Sequence, residues 1–252
     1  MLDMQRLGPA RLVLVRHGES IGNLADRAAR GAGAARLELD ARDADVPLSD
    51  TGVNQARALG RHLADLPETA VPTAVASSPY RRSADTARTA METAGLRLPV
   101  HHDERLRERE LGVFDGLTGT GIRAEYPAEA ARREHVGKFY YRPPGGESWC
   151  DVALRVRSFL RDVGARPATD RLWIFTHQAV ITCFRYVLDG MDEEAVLALD
   201  ARVPMPNGST TTYHRGPGGV PALVDYASAA AVRAEGEEPT QEREHAGRGP
   251  VP

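Results

Sequence analysis

A three-layer α/β fold, with a mostly parallel central sheet flanked by helices, is what this sequence predicts, and three observations predict it. Short β-prone runs at residues 11–15, 73–77, 98–106 and 171–176 alternate with longer segments that carry apolar residues at helical spacing. The strand-then-helix order occurs four times. Polar residues suited to chemistry follow each strand: Arg16 and His17, then Arg82, Glu108 and His177. In a parallel sheet the carboxyl ends of the strands share one edge, where ligands bind, so these distant residues are expected to converge.

In chain order, Leu12, Val13, Leu14 and Val15 form a continuous apolar stretch, the pattern of a strand buried on both faces. Gly18 then lets the backbone turn sharply. A helix is expected from Ser20 to about residue 30, followed by an irregular loop through residue 46. Asn23 lies six residues after His17, where a first helical turn would bring its side chain back to the same place; an asparagine at a helix start is also ordinary. Ser49 caps a helix running to about residue 66, with Val53, Ala56, Leu59, Leu63 and Leu66 on one face. After the strand at 73–77, Ser78-Pro79 opens a helix that carries Arg81 and Arg82 in its first turn. Cations there oppose the helix macrodipole, and a bound anion would resolve the conflict.

The strand at 98–106 leads into Arg107-Glu108-Arg109-Glu110, two carboxylates among arginines. His101-His102-Asp103 does not make a metal site, because neighbouring strand residues point to opposite faces. Residues 117–147 have weak periodicity, with a helix expected over 122–133, and read as a cover over the strand ends. Ser148 caps a helix to about residue 163, His177 directly follows the strand at 171–176, and a helix follows over 178–188. A short helix at 192–199 precedes edge strands expected at 210–214 and 222–226. From Arg233 onward charge, Gly and Pro dominate, so residues 1–232 are expected to form one domain and 233–252 a disordered tail.

The 252 residues carry a net charge of −3, which gives no general attraction to nucleic acid or anionic membrane, so any anion binding is local. No apolar run approaches the roughly 20 residues of a membrane span, and a cytoplasmic location is expected. Cys150 and Cys183 lack metal-type spacing and read as free thiols.

Two histidines, two arginines and a carboxylate suit phosphoryl transfer without a metal. Arginine and imidazole donors surround the phosphoryl oxygens, one imidazole nitrogen attacks phosphorus in line, and the carboxyl group handles the proton of the leaving oxygen.

Leu14-Val15-Arg16-His17-Gly18-Glu19-Ser20 is similar to the defining motif of the histidine phosphatase superfamily, which includes phosphoglycerate mutases and fructose-2,6-bisphosphatases. Further resemblance lies at residues 48–56, 78–87, 106–116, 145–148, 176–180 and 206–209, and extends over roughly 11–226. It implies a phosphoglycerate mutase-like fold, His17 as the phosphorylated nucleophile, and Arg16, Arg82 and His177 as ligands of the phosphoryl group. Asn23 and the backbone after His177, at Gln178, complete that pocket, and Glu108 takes the general acid position. Arg82 is preferred to Arg81 because it stands four residues before Thr86. Gln178-Ala179 and residues 141–148 resemble the fructose-2,6-bisphosphatase branch, whereas the loop 24–46 is longer and different.

The activity so implied is hydrolysis of a small phosphorylated metabolite, with no metal, cofactor, nucleic acid or membrane partner. The alternatives are mutase-type phosphoryl transfer and a non-catalytic phosphoanion-binding protein. A second anionic group on the substrate would find Arg27, Arg30, Arg36, Arg132, Arg133, Lys138 and Arg142, which are equally ordinary as surface charge.

Overall fold

Buried everywhere but at its first residue, the opening apolar run becomes β1 (Arg11–Arg16) of a computed structural model that describes residues 9–164 and 170–241. β2 (Ala74–Ser77), β3 (Val100–His102) and β4 (Arg171–Thr176) lie parallel to it, and β5 (Thr210–Arg215) and β6 (Pro221–Ser228) close the sheet antiparallel. The order is β3-β2-β4-β1-β5-β6, which leaves β1 between β4 and β5.

Successive side chains of β1 point to opposite faces, and both faces are covered. Leu12 and Leu14 join the core formed by α6 (Trp149–Gly164) and α7 (Gln178–Leu188), through Trp149, Val156, Ile181 and Phe184. Val13 and Val15 join the core on the other face, formed by α2 (Asp50–Ala64) and α3 (Arg81–Thr93), through Leu59, Leu63, Ala87 and Met91. This is the three-layer arrangement expected from the sequence.

Cap chemistry fixes the helix starts that matter for the strand ends. Ser20 and Asn23 form a reciprocal capping box at the start of α1 (Ile21–Gly31). The Ser49 hydroxyl accepts from the Gly52 amide to start α2, and Ser148 accepts from the Asp151 amide to start α6.

Four expectations need correction. The strand at 98–106 is only Val100–His102, because β2 offers a short partner and the Asp103 side chain accepts from the Arg105 amide, turning the chain into a 3-10 turn at Glu104–Leu106. The helix at 122–133 is two helices, α4 (Gly119–Glu125) and α5 (Pro127–Val136), broken where Tyr126 precedes Pro127. The strand at 210–214 is interior, since β6 covers its outer side. After α8 (Glu193–Arg202) and the last strands, α9 (Ala230–Ala234) buries Ala231 and Val232, the end of the expected domain, in the core of α2 and α3 and runs on into the expected tail through Arg233 and Ala234, and Thr240 hydrogen-bonds Asn207. The remainder of that tail, 242–252, lies outside the described residues.

Candidate active site

The carboxyl ends of β1, β2 and β4 bring together the residues that follow them. His17 stands just beyond β1 with its amide bonded to the Thr176 carbonyl (3.0 Å), and its ring meets that of His177 edge-on, centroids 5.1 Å apart. Glycine makes the turn between them and the helix layer. A Cβ on Gly18 would sit 2.5 Å from the Gly52 carbonyl oxygen, and one on Gly52 only 1.9 Å from the Glu19 carbonyl oxygen. The loop after β1 therefore lies directly on the first turn of α2. From below, the Gly208 amide bonds the Arg16 carbonyl (3.1 Å) and the Asn207 amide group bonds the His17 carbonyl (3.2 Å).

His17 is buried, and its hydrogen bonds define its tautomer. Nδ1 lies 2.7 Å from the Gly18 carbonyl, which only accepts, so Nδ1 carries the proton. Nε2 is then the lone-pair nitrogen, and it accepts from Arg82 Nε at 3.3 Å. Burial, reinforced by the charges of Arg82 and Arg16, holds the His17 imidazole well below its usual range; the Gly18 hydrogen bond opposes this in part. Arg16 is buried and donates to the Met205 carbonyl. His177 is wholly buried; burial first, then Arg82, lowers its pKa too. Its Nε2 is 2.8 Å from the Ser78 hydroxyl, which also accepts from the Tyr80 amide (3.2 Å), while Nδ1 lies 3.8 Å from Glu108 Oε2.

Glu108 follows the 3-10 turn after β3. Desolvation raises its pKa, against the opposing charge of Arg82, so a neutral carboxylic acid is favoured over a wider pH range than for a surface glutamate. Its position is set by groups the sequence reading left without a role. The Glu147 carboxylate takes Arg107 (2.6 Å), Arg155 (3.1 Å) and the Glu110 amide (3.2 Å), while Arg155 also donates to the Glu108 carbonyl (3.3 Å). Glu147 belongs to the Gly-Gly-Glu-Ser stretch already singled out in the sequence, so that signal was visible, but its partners 40 and eight residues away were not.

Above these groups is a cavity of about 490 Å³, lined by Arg16, His17, Asn23, Arg82, Glu108 and Gln178 among others. Every residue expected at the site thus lines it except His177, which lies behind Glu108. Asn23 Oδ1 accepts from the Ser20 amide (2.8 Å), the Ser20 hydroxyl (3.0 Å) and Asn207 Nδ2 (3.3 Å). The stretch 117–147 flanks the opening, where Phe114, Leu117, Ile122 and Tyr141 form a small core of their own.

The expected outer cations are mostly engaged. Arg27 pairs with Glu19 (2.8 Å), Arg30 with Asp26 (2.6 Å), Lys138 with Asp200 (2.8 Å), Arg36 with Glu125 and Arg142 with Asp151. Arg30, Arg36, Arg133 and Lys138 line the cavity, and so do Asp26, Asp43, Glu110 and Asp115, so its mouth is not a basic patch. His101 and His102 are exposed on β3. Cys150 and Cys183 are free thiols.

Comparison with known proteins agrees with this architecture. The 2,3-bisphosphoglycerate-dependent phosphoglycerate mutase 2 of Gloeobacter violaceus is 33% identical over 78% of this chain and 84% of its own length. A phosphoglycerate mutase-like protein of Arabidopsis thaliana is 35% identical over 67% of this chain, which spans only 51% of that protein. Among solved structures, a mycobacterial glucosyl-3-phosphoglycerate phosphatase in complex with inorganic phosphate superposes with a TM-score of 0.67 at 27% identity, covering 88% of this chain and 99% of that one. With residues 12–227 matching the sequence model of the histidine phosphatase superfamily (branch 1), the chain belongs to that superfamily.

Proposed function

We propose that the protein is a phosphoric monoester hydrolase acting on a small phosphorylated metabolite through a phosphohistidine at His17. The observation that carries this reading is the tautomer of His17: with Nδ1–H held by the Gly18 carbonyl, the Nε2 lone pair faces Arg82 and the cavity lining.

In the first step Nε2 attacks phosphorus as the bond to the ester oxygen breaks, and Glu108 donates its proton to that leaving oxygen. Arg16 and Arg82 donate hydrogen bonds to the phosphoryl oxygens, Asn23 and the Gln178 amide at the start of α7 complete the cradle, and His177, behind Glu108, backs the site from the protein interior. In the second step the Glu108 carboxylate takes a proton from water, whose oxygen attacks phosphorus. The N–P bond breaks, inorganic phosphate leaves and His17 Nε2 regains its lone pair. The phosphatase named among the structural relatives, matched over 99% of its length, supports hydrolysis, as does a Glu108 side chain about a quarter exposed, within reach of water.

The Gloeobacter relative favours a second reading, phosphoryl transfer between positions of a phosphoglycerate, which requires that water be kept from the phosphohistidine. One assay separates these. Turnover of para-nitrophenyl phosphate in the presence of EDTA, an acid-labile phosphate on His17, and loss of about four orders of magnitude or more in His17→Ala are expected. Negligible phosphate release together with isomerisation of a phosphoglycerate primed by its bisphosphate would establish the mutase instead. No turnover of either kind and no labelling of His17 would leave a phosphoanion-binding protein.

A further inference from the structure

Arg82 already holds an anion, and it belongs to the chain itself. The Asp43 carboxylate meets the guanidinium in a fork, Oδ1 2.9 Å from Nη1 and Oδ2 3.2 Å from Nη2, and the Asp43 carbonyl accepts from Nη1 at 2.6 Å. Of the two N–H groups of Arg82 that Asp43 does not take, the one at Nε goes to His17. Paired N–H···O bonds to a planar or tetrahedral oxyanion are the geometry by which arginine binds carboxylate and phosphate alike. Asp43 therefore uses the donors that a phosphoryl group on His17 would use.

The chain around Asp43 is built to let it leave. The segment is anchored on one side by the Leu37 amide on the Gly116 carbonyl (2.9 Å) and on the other by buried Val46 and the Ile21 amide on the Pro47 carbonyl (3.0 Å). Between these anchors Leu37 and Leu39 are half-buried, alternate with exposed Glu38 and Asp40, and line the cavity together with Ala41 and Asp43. Arg82 is only 6% exposed but Asp43 is 43% exposed, so the carboxylate can move out into water while the guanidinium stays in the cavity wall.

We infer that Asp43 is a specificity-determining residue, an internal anion that occupies the phosphoryl donors of Arg82 and admits only ligands able to displace it. The inference rests on the reading of Arg82 as a phosphoryl-binding residue. A tethered group competes at an effective concentration on the order of millimolar. Free carboxylates, which add neither charge nor acceptor, and sulfate, whose oxygens are much weaker acceptors, do not overcome such a competitor, whereas a phosphoryl dianion, with basic oxygens and a third acceptor beyond the carboxylate pair, does. Binding is then an exchange: Arg82 trades Asp43 for the ligand, and the wall of the cavity at 37–43 moves outward with it.

Titration calorimetry of the full chain with inorganic phosphate and with sulfate, on wild type, Asp43→Asn, Asp43→Ala and Arg82→Ala, tests this. Phosphate affinity is expected to rise about tenfold or more in both Asp43 variants, because the competent state no longer has to be liberated. Sulfate binding is expected to become measurable in them while remaining undetectable in wild type. Phosphate affinities within twofold of wild type in both Asp43 variants, with binding lost in Arg82→Ala, would overturn the role of Asp43 and leave the phosphoryl site standing. Phosphate binding unaffected by Arg82→Ala, or absent from every variant, would overturn both.

Discussion

At the scale of single residues, the two groups proposed to move the phosphoryl group and the proton are tuned in opposite directions by the same cause. Burial keeps His17 neutral to a pH below its ordinary value of 6.5, and burial keeps Glu108 protonated above its ordinary value of 4.5. The profile of kcat/KM reports the free enzyme. Its acid limb, protonation of His17, is expected to fall below pH 6.5, and its alkaline limb, loss of the Glu108 proton, to lie above the pH 4.5 of an ordinary glutamate. Glu108→Gln is expected to remove the alkaline limb and to lower kcat/KM for an alkyl phosphate by about 10²- to 10⁴-fold, with a smaller loss for para-nitrophenyl phosphate, whose leaving group needs no proton. A pH-rate series on both substrates checks this. His17 and His177 were legible in the sequence because each directly follows a strand with a buried apolar run, whereas Arg82 and Glu108 follow short strands and were legible through the motifs around them. Asp43 was not: an acidic residue in an irregular loop carries no periodicity, and its partner is 39 residues away.

At the scale of elements, the loop after β1 works because a helix presses on it. Gly18 and Gly52 allow backbone to touch backbone, and the Glu19 amide bonds Gln55 Oε1 (2.8 Å) while the Ser49 hydroxyl donates to Glu19 Oε1 (2.9 Å). Gly52→Ala is expected to force this contact apart, costing about 1–3 kcal/mol of stability and weakening phosphate binding. Urea unfolding and phosphate titration of that variant measure the two effects, and unchanged values in both would show that the contact yields freely. Most elements were readable to within a residue or two, since caps such as Ser49 and Ser148 are local signals. The end of β3 and the break at Tyr126 were misplaced for local reasons too, the Asp103 turn and the restriction that Pro127 puts on its predecessor.

At the scale of the molecule, the chain closes on its own beginning. The carbonyls of Glu238 and Thr240 accept from Gln55 Nε2 (3.0 Å) and the Asn207 amide (2.7 Å). Gln55 and Asn207 in turn hold the backbone of Glu19 and His17. Composition pointed to a tail without structure from Arg233 because it counts apolar side chains, whereas this segment is held by α9 and then by main-chain acceptors. A chain ending at Gly236 is expected to lose about 1–3 kcal/mol of stability, and to bind phosphate more weakly although no cavity-lining residue is removed; thermal unfolding with and without phosphate reads both. The interior position of β1 has a further consequence, for biosynthesis. β1 is translated well before its sheet partners at residues 171–176 and 210–215, so Leu12–Val15 emerges from the ribosome without them and stays a sticky, unshielded stretch until they have followed. His17 gains its surroundings only then, so a nascent chain carries the motif long before it carries the chemistry.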